Sequence, residues 1–327
     1  MQYLKTFLKT VISLGLFAYL VYHADPNEIV KVLAGISAGN GIYFLMLAVI
    51  FELVSIYLMS LRWKVLLIQY DINIRTDRLF GFYLIGLFFN NFLPTSIGGD
   101  VVRIYKAANE SENRTAGFAS VIIERLVGMA STFFLAIVAL FFVSQYFHSN
   151  RLLYMSLILF TGIIVFIFLI TRNRPFKMLL RIFDKVTFFN IGEKFNKLFE
   201  AIHQLRTYRR VFVYVFILSL LSQIAIVLMN YFISQAFSMK IDLLYLFLVV
   251  PVTFALTLLP SINGVGVRDG GYVVLLGKIG ISGAAAISLS FMNLLIPMFI
   301  SLFGAILFII QKRRLRQEEI NEIEPSV

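Results

Sequence analysis

The stretch LFFNNFLPTSIGGDVVR, residues 87–103, begins as an apolar helix, halts at Pro94, meets Gly98 and Gly99, and runs directly into Asp100 and Arg103. A related string, LPSINGVGVRD, occupies 259–269, where another apolar run halts at Pro260 ahead of Gly264 and Gly266 and ends in Arg268 and Asp269. Leucine, proline, a small hydroxyl residue and glycine coincide at an offset of 166, and Val101 falls on Val267. Proline lacks the helical N–H donor and clashes with the preceding turn, so each run breaks where it stops. A helix needs roughly 20 apolar residues to cross a bilayer core. The segments Leu79 to Leu93 and Leu243 to Leu259 are shorter than that.

The rest of the chain reads as membrane. Of 327 residues, 59% are hydrophobic and 14% charged, 34 are Phe, and the mean hydropathy is +0.86. Soluble domains are about 45–50% apolar and about 25% charged, so lipid must solvate much of this surface. Six runs have spanning length: about 4–22, 41–61, 115–143, 152–171, 211–236 and 282–310. The first is read as a retained span, since no small-x-small cleavage site follows Tyr22.

Lysine and arginine placement fixes the sidedness, because cytosolic loops retain positive charge. With the N-terminus in the cytosol, the inside segments hold 22 of the 29 basic residues, among them Arg62, Lys64, ten between Arg172 and Arg210, and four from Lys312 to Arg316. That asymmetry requires each broken segment to return to the side it entered from. The sequence therefore predicts an all-α polytopic bundle of about six full spans and two re-entrant broken-helix hairpins. Repeat 1 covers about 41–143 with hairpin 79–110, and repeat 2 about 211–310 with hairpin 243–278. Three crossings separate the two strings, which makes the repeat inverted, an arrangement of many secondary transporters. Each hairpin read as a pair of complete crossings leaves the sidedness unchanged. Segment 172–210, with Phe176, Leu179, Phe183, Phe195, Leu198 and Phe199 at helical spacing among basic residues, reads as amphipathic helix on the anionic inner leaflet or on the protein's own cytosolic face. Residues 317–327 read as a disordered tail. The net charge of +11 belongs to these membrane-facing segments, and no nucleic acid is expected as a partner.

Charged residues at bilayer depth are costly and point to function. They are Glu52, Asp100, Arg103, Glu124, Arg125, Arg268 and Asp269, with Asn90, Asn91 and Asn263 beside the glycine turns. Arginine suits a phosphate headgroup because its fork binds phosphate bidentately and stays charged. The reading is one polar groove at the midplane, lined by Arg103, Arg125, Arg268 and the amides of Gly98, Gly99, Gly264 and Gly266. Glu52, Asp100, Glu124 and Asp269 serve there for proton coupling or charge pairing. The seven charges sum to −1, so an anionic headgroup needs one carboxyl to take up a proton; otherwise the headgroup is cationic or zwitterionic. Gln223, Asn230 and Asn293 read as interhelical hydrogen bonds.

Catalytic signatures are missing. There is no cysteine, no G-x-S-x-G elbow and no P-loop, and His23, His148 and His203 do not cluster, so no metal or cofactor is expected. The alternatives are an intramembrane transferase with Asp100, Glu124 or Asp269 as general base, and a non-transporting regulatory membrane protein.

NNFLPTSIGGDVVR (90–103), ERLVG (124–128) and PSINGVGVRDGG (260–271) together resemble the flippase-like membrane domain of lysylphosphatidylglycerol synthases. The resemblance covers nearly the whole chain, with Asp269 standing where relatives often have Glu. It implies translocation of membrane lipids and suits a prokaryotic plasma membrane, while the charge asymmetry places both termini in the cytosol. The soluble aminoacyl-transfer domain of the two-part members has no counterpart here, so lipid synthesis is not implied.

Overall fold

In the computed structural model, residues 15–16, 18–38, 40–92, 98–110, 114–143, 161, 209–257 and 264–323 are described. Most of the expected span at 4–22, nearly all of 152–171, and segment 172–208 lie outside them, as do Pro94, Pro260 and Asn263. The described residues are helical, with short turns between helices. The helices are α1 (Pro26–Ala34), α2 (Gly41–Ile68), α3 (Thr76–Phe92), α4 (Gly98–Asn109), α5 (Arg114–Val143), α6 (Arg209–Ala236), α7 (Leu243–Leu256), α8 (Val267–Gly277) and α9 (Gly283–Ile323).

Within α2, α5, α6 and α9 lie stretches long and apolar enough to cross a membrane, and these match four of the six expected spans. The hairpin arms are shorter. With 17 and 12 residues in α3 and α4, and 14 and 11 in α7 and α8, the arms reach only about 17–26 Å at 1.5 Å per residue, against a core of about 30 Å. Among the described residues no arm reaches about 30 Å, which favours the re-entrant arrangement.

The repeat is visible in the element order. The order α2, α3, α4 and α5 recurs as α6, α7, α8 and α9, with the starts of α3 and α7 167 residues apart. Packing obeys the same exchange. The α2–α6 contact maps onto itself, α3 on α9 onto α7 on α5, α3–α4 onto α7–α8, α4–α5 onto α8–α9, and α2–α3 onto α6–α7. Phe44 and Phe51 of α2 stack on Phe232 of α6, while Arg62, further along α2, bonds Ser219, earlier in α6. Equivalent helices thus run antiparallel, which makes the relating pseudo-two-fold axis perpendicular to them and the repeat inverted. The first arm of each hairpin leans on the last helix of the opposite half, so the halves are interlocked. The level at which α2 and α6 meet their own counterparts falls near Ile56 and Ile224.

Local chemistry explains the boundaries. Asp25 and Asp242 accept backbone N–H bonds from Asn27 and Leu244 at 3.0 Å each, capping α1 and α7. Gly266, at φ +83°, caps α8 in a conformation that side chains rarely adopt. Two expectations change. The apolar run expected to end at Leu61 continues as helix to Ile68, because the charge of Arg62 is neutralised inside the bundle. The tail expected to be disordered from 317 is helical to Ile323, since Gln, Arg, Leu and Glu are good helix formers.

Tyr245 ties the arms of the second hairpin together, its buried hydroxyl donating to the Leu275 carbonyl at 2.6 Å. Tyr245→Phe removes that bond, leaving the carbonyl the Lys278 N–H at 3.2 Å, and should cost about 1 kcal/mol, read as a lower thermal midpoint in detergent.

Candidate functional site

The polar residues form two clusters, one per half, instead of one groove. In the first, Glu124 of α5 is buried and takes an arginine on each oxygen. Arg62 of α2 donates to Oε1 at 2.8 Å and Arg103 of α4 to Oε2 at 2.5 Å. Arg62 also donates to Ser219 Oγ at 3.0 Å, which brings in α6. Arg103 lies 3.6 Å from the Tyr83 ring centroid and 4.4 Å from that of Trp63, with a long 3.5 Å contact to Asp100. Its Nε is buried without a partner. Trp63 is fixed in turn by donating to Ser120 Oγ at 3.0 Å. Arg125, on the next position of α5, pairs with Asp100 and is 48% exposed.

In the second cluster, Arg268 donates to Asp269 Oδ1, Ser290 Oγ and the Ser290 carbonyl, each at 3.2 Å. Asp269 also accepts from Ser290 Oγ at 2.5 Å and from the Gly266 N–H at 2.8 Å. Beside it Asn230 Oδ1 accepts from Tyr272 Oη at 2.9 Å and Asn293 Nδ2 at 2.7 Å, joining α6, α8 and α9. This bears out the interhelical role expected of Asn230 and Asn293.

The helix register explains both sets together. Matching the two hydrogen-bonded triads, Arg62, Arg103 and Glu124 with Asn230, Tyr272 and Asn293, sets offsets of 168 and 169 and places Asp100 on Asp269. A charged triad in one half and a neutral triad in the other thus make the same three-helix tie. The offset of 166 aligns the Leu-Pro motifs but not the helices, which follow at 169.

Several expectations change. Arg62, counted in the sequence as a loop charge, is a buried member of the first cluster, so the membrane-depth charges number eight and sum to zero, not −1. Around the first hairpin, Arg62, Arg103 and Arg125 face Asp100 and Glu124, a surplus of one positive charge. Glu52 is 8% exposed and takes no partner among the described residues. Gly98 and Gly99 are helical rather than a turn, and the Gly99 N–H donates to Asn90 Oδ1 at 2.8 Å. A Cβ on Gly99 would strike the Gly86 carbonyl oxygen, so this glycine serves close packing of α3 on α4. Gly264 and Gly266 do form a turn with positive φ, although the Gly266 amide is taken by Asp269. Asn91 donates to Ser301 Oγ of α9 at 3.2 Å.

The chain's similarities agree with this architecture. The family model of the lysylphosphatidylglycerol synthase TM region matches residues 6–304. A UPF0104 membrane protein of Methanothermobacter thermautotrophicus is 27% identical over 293 residues, 83% of this chain and 85% of the relative. UPF0104 membrane protein PH1989 of Pyrococcus horikoshii is 24% identical over 339 residues, covering 95% and 98%. No solved structure matches the chain. With its inverted helical repeat and the match over nearly its full length, this integral membrane protein belongs to the lysylphosphatidylglycerol synthase transmembrane-region family.

Proposed function

We propose that the protein is a lipid translocase that passes a phosphate-bearing headgroup between leaflets along the polar side chains of the two hairpins, while the acyl chains stay in lipid. The observation that carries this is the surplus of arginine over carboxylate around the first hairpin, with Arg125 half-exposed beside it. An anionic headgroup is attracted there without prior protonation of a carboxyl. Interlocked inverted halves, each with a broken helix, suit a substrate that must be handed from one membrane face to the other. The lysine and arginine asymmetry supports cytosolic termini, and the family resemblance supports a prokaryotic plasma membrane. The lipid leaves chemically unchanged, so the protein acts as a carrier and not as a transferase.

The test is a leaflet-resolved assay in proteoliposomes carrying a fluorescent phosphatidylglycerol, quenched from outside by dithionite. The protein should expose label from the inner leaflet faster than protein-free vesicles do. A label converted to a new species would make the protein a transferase. Equal quenching with and without protein would remove the translocase reading.

A further inference from the structure

The symmetry separates charges that hold the fold from charges that the fold does not require. Arg62, Arg103 and Glu124 tie α2, α4 and α5, and Asn230, Tyr272 and Asn293 make the equivalent tie with no charge. The triad therefore makes the same structural tie in both halves, and in the first it also supplies the single positive surplus. Arg125 and Arg268 are different. Their counterparts are Leu294 and Gly99, so neither arginine has an equivalent in the other half. Both nevertheless pair with the same element, the aspartate third in the second hairpin arm: Arg125 with Asp100, and Arg268 with Asp269. They are also the more accessible arginines, at 48% and 11% side-chain exposure against 7% for Arg62 and Arg103. Among the described residues Arg268 Nη1 takes no partner.

We propose that Arg125–Asp100 and Arg268–Asp269 are two phosphate stations, one on each side of the bilayer centre, at which the aspartate is the resting counter-ion that a lipid phosphate displaces. This rests on the translocase reading and deepens it. Displacement is tolerable because the aspartate does not depend on its arginine alone. Asp269 keeps the Gly266 N–H and the Ser290 hydroxyl, and both aspartates lie in the first turn of a helix, where exposed N–H groups favour negative charge. A phosphate offers each guanidinium a bidentate acceptor in place of the carboxylate contact seen at each arginine. The separation follows from the inverted axis. Arg62, at the level of the first cluster, lies six residues past Ile56, about 9 Å along α2, and the second cluster lies a similar distance on the other side. A headgroup thus makes two stops, and neither half has to carry it across alone.

The same proteoliposomes test this, with native mass spectrometry of the purified protein in added phosphatidylglycerol as a second readout. Arg125→Gln and Arg268→Gln should each slow lipid transfer about tenfold or more at unchanged thermal midpoint. The triple variant Arg62→Asn/Arg103→Tyr/Glu124→Asn, which installs the second half's triad, should remain folded, because the tie survives without its charges. Arg268→Gln should reduce bound phosphatidylglycerol, whereas Asp269→Asn should raise it by freeing the guanidinium. A purely structural pair would move both variants the same way, so a fall in both overturns the stations even if the triple variant fails to fold. Wild-type transfer with both arginine variants at full rate refutes the stations and leaves the translocase. No transfer by the wild type ends both.

Discussion

Glu124→Ala should be the most damaging single substitution in the protein, with a loss of about 3–5 kcal/mol and little monodisperse protein recovered from detergent. Glu124 is buried and receives Arg62 on one oxygen and Arg103 on the other. Its removal leaves two guanidinium groups without their shared anion in a water-poor interior, and neither can reach solvent while Arg103 is held between Trp63 and Tyr83. Asp100 cannot replace it, being in long contact with Arg103 and already paired with Arg125. The damage comes from an uncompensated charge and not from any special strength of the ion pair. Changing all three members together to the neutral set of the second half should therefore cost far less than changing one. Thermal midpoints of the single and triple variants, measured side by side, check this. A triple variant no more stable than Glu124→Ala would show that the two triads are not interchangeable.

Gly304→Ala should be nearly as severe for a different reason. At this glycine α9 crosses α3 so closely that a Cβ would strike the Leu84 carbonyl and approach the Ile85 nitrogen at 2.8 Å. These are backbone atoms inside a helix, so relief requires the two helices to separate. Overpacking of this kind costs about 1–3 kcal/mol and occasionally more. The contact also joins the first hairpin to the last helix of the opposite half, so its loss weakens the interlock. Gly277→Ala is the control, since a Cβ there meets nothing within 4 Å and its thermal midpoint should not fall. Equal behaviour of the two variants would mean that the α3–α9 crossing is not close-packed in the membrane.

Much of the architecture is legible in the sequence because it depends on length and breakage. Spanning runs, short hairpin arms and the repeated Leu-Pro motif all follow from counting apolar residues between prolines. Errors arise where a charge is compensated by a residue distant in sequence. Arg62 looks like the end of a span because nothing near it in the sequence is acidic; its partner lies 62 residues away in α5. Reading it as a loop charge shortened α2 and put the membrane charge sum off by one. The two triads escaped for a related reason. The halves carry them at offsets of 168 and 169, whereas the motif aligns at 166, and the extra residues between Pro260 and α8 hide the true register. The division into two clusters was hidden because inverted symmetry places equivalent residues on opposite sides of the centre. Gly99 and Gly266 share the motif but do different work, close packing in one half and a positive-φ helix cap in the other.

The central claim is that the two hairpins enter the membrane from opposite faces and each returns to its own. The chain contains no cysteine, so single cysteines can be placed without altering a background. Asn73→Cys and Glu110→Cys flank the first hairpin, and Lys240→Cys and Lys278→Cys flank the second, all at exposed positions. Labelling with a membrane-impermeant maleimide in sealed right-side-out vesicles should modify positions 240 and 278 and spare 73 and 110. Inverted vesicles should give the reverse. Two ends of one hairpin labelling from opposite faces, or all four from the same face, would contradict the account.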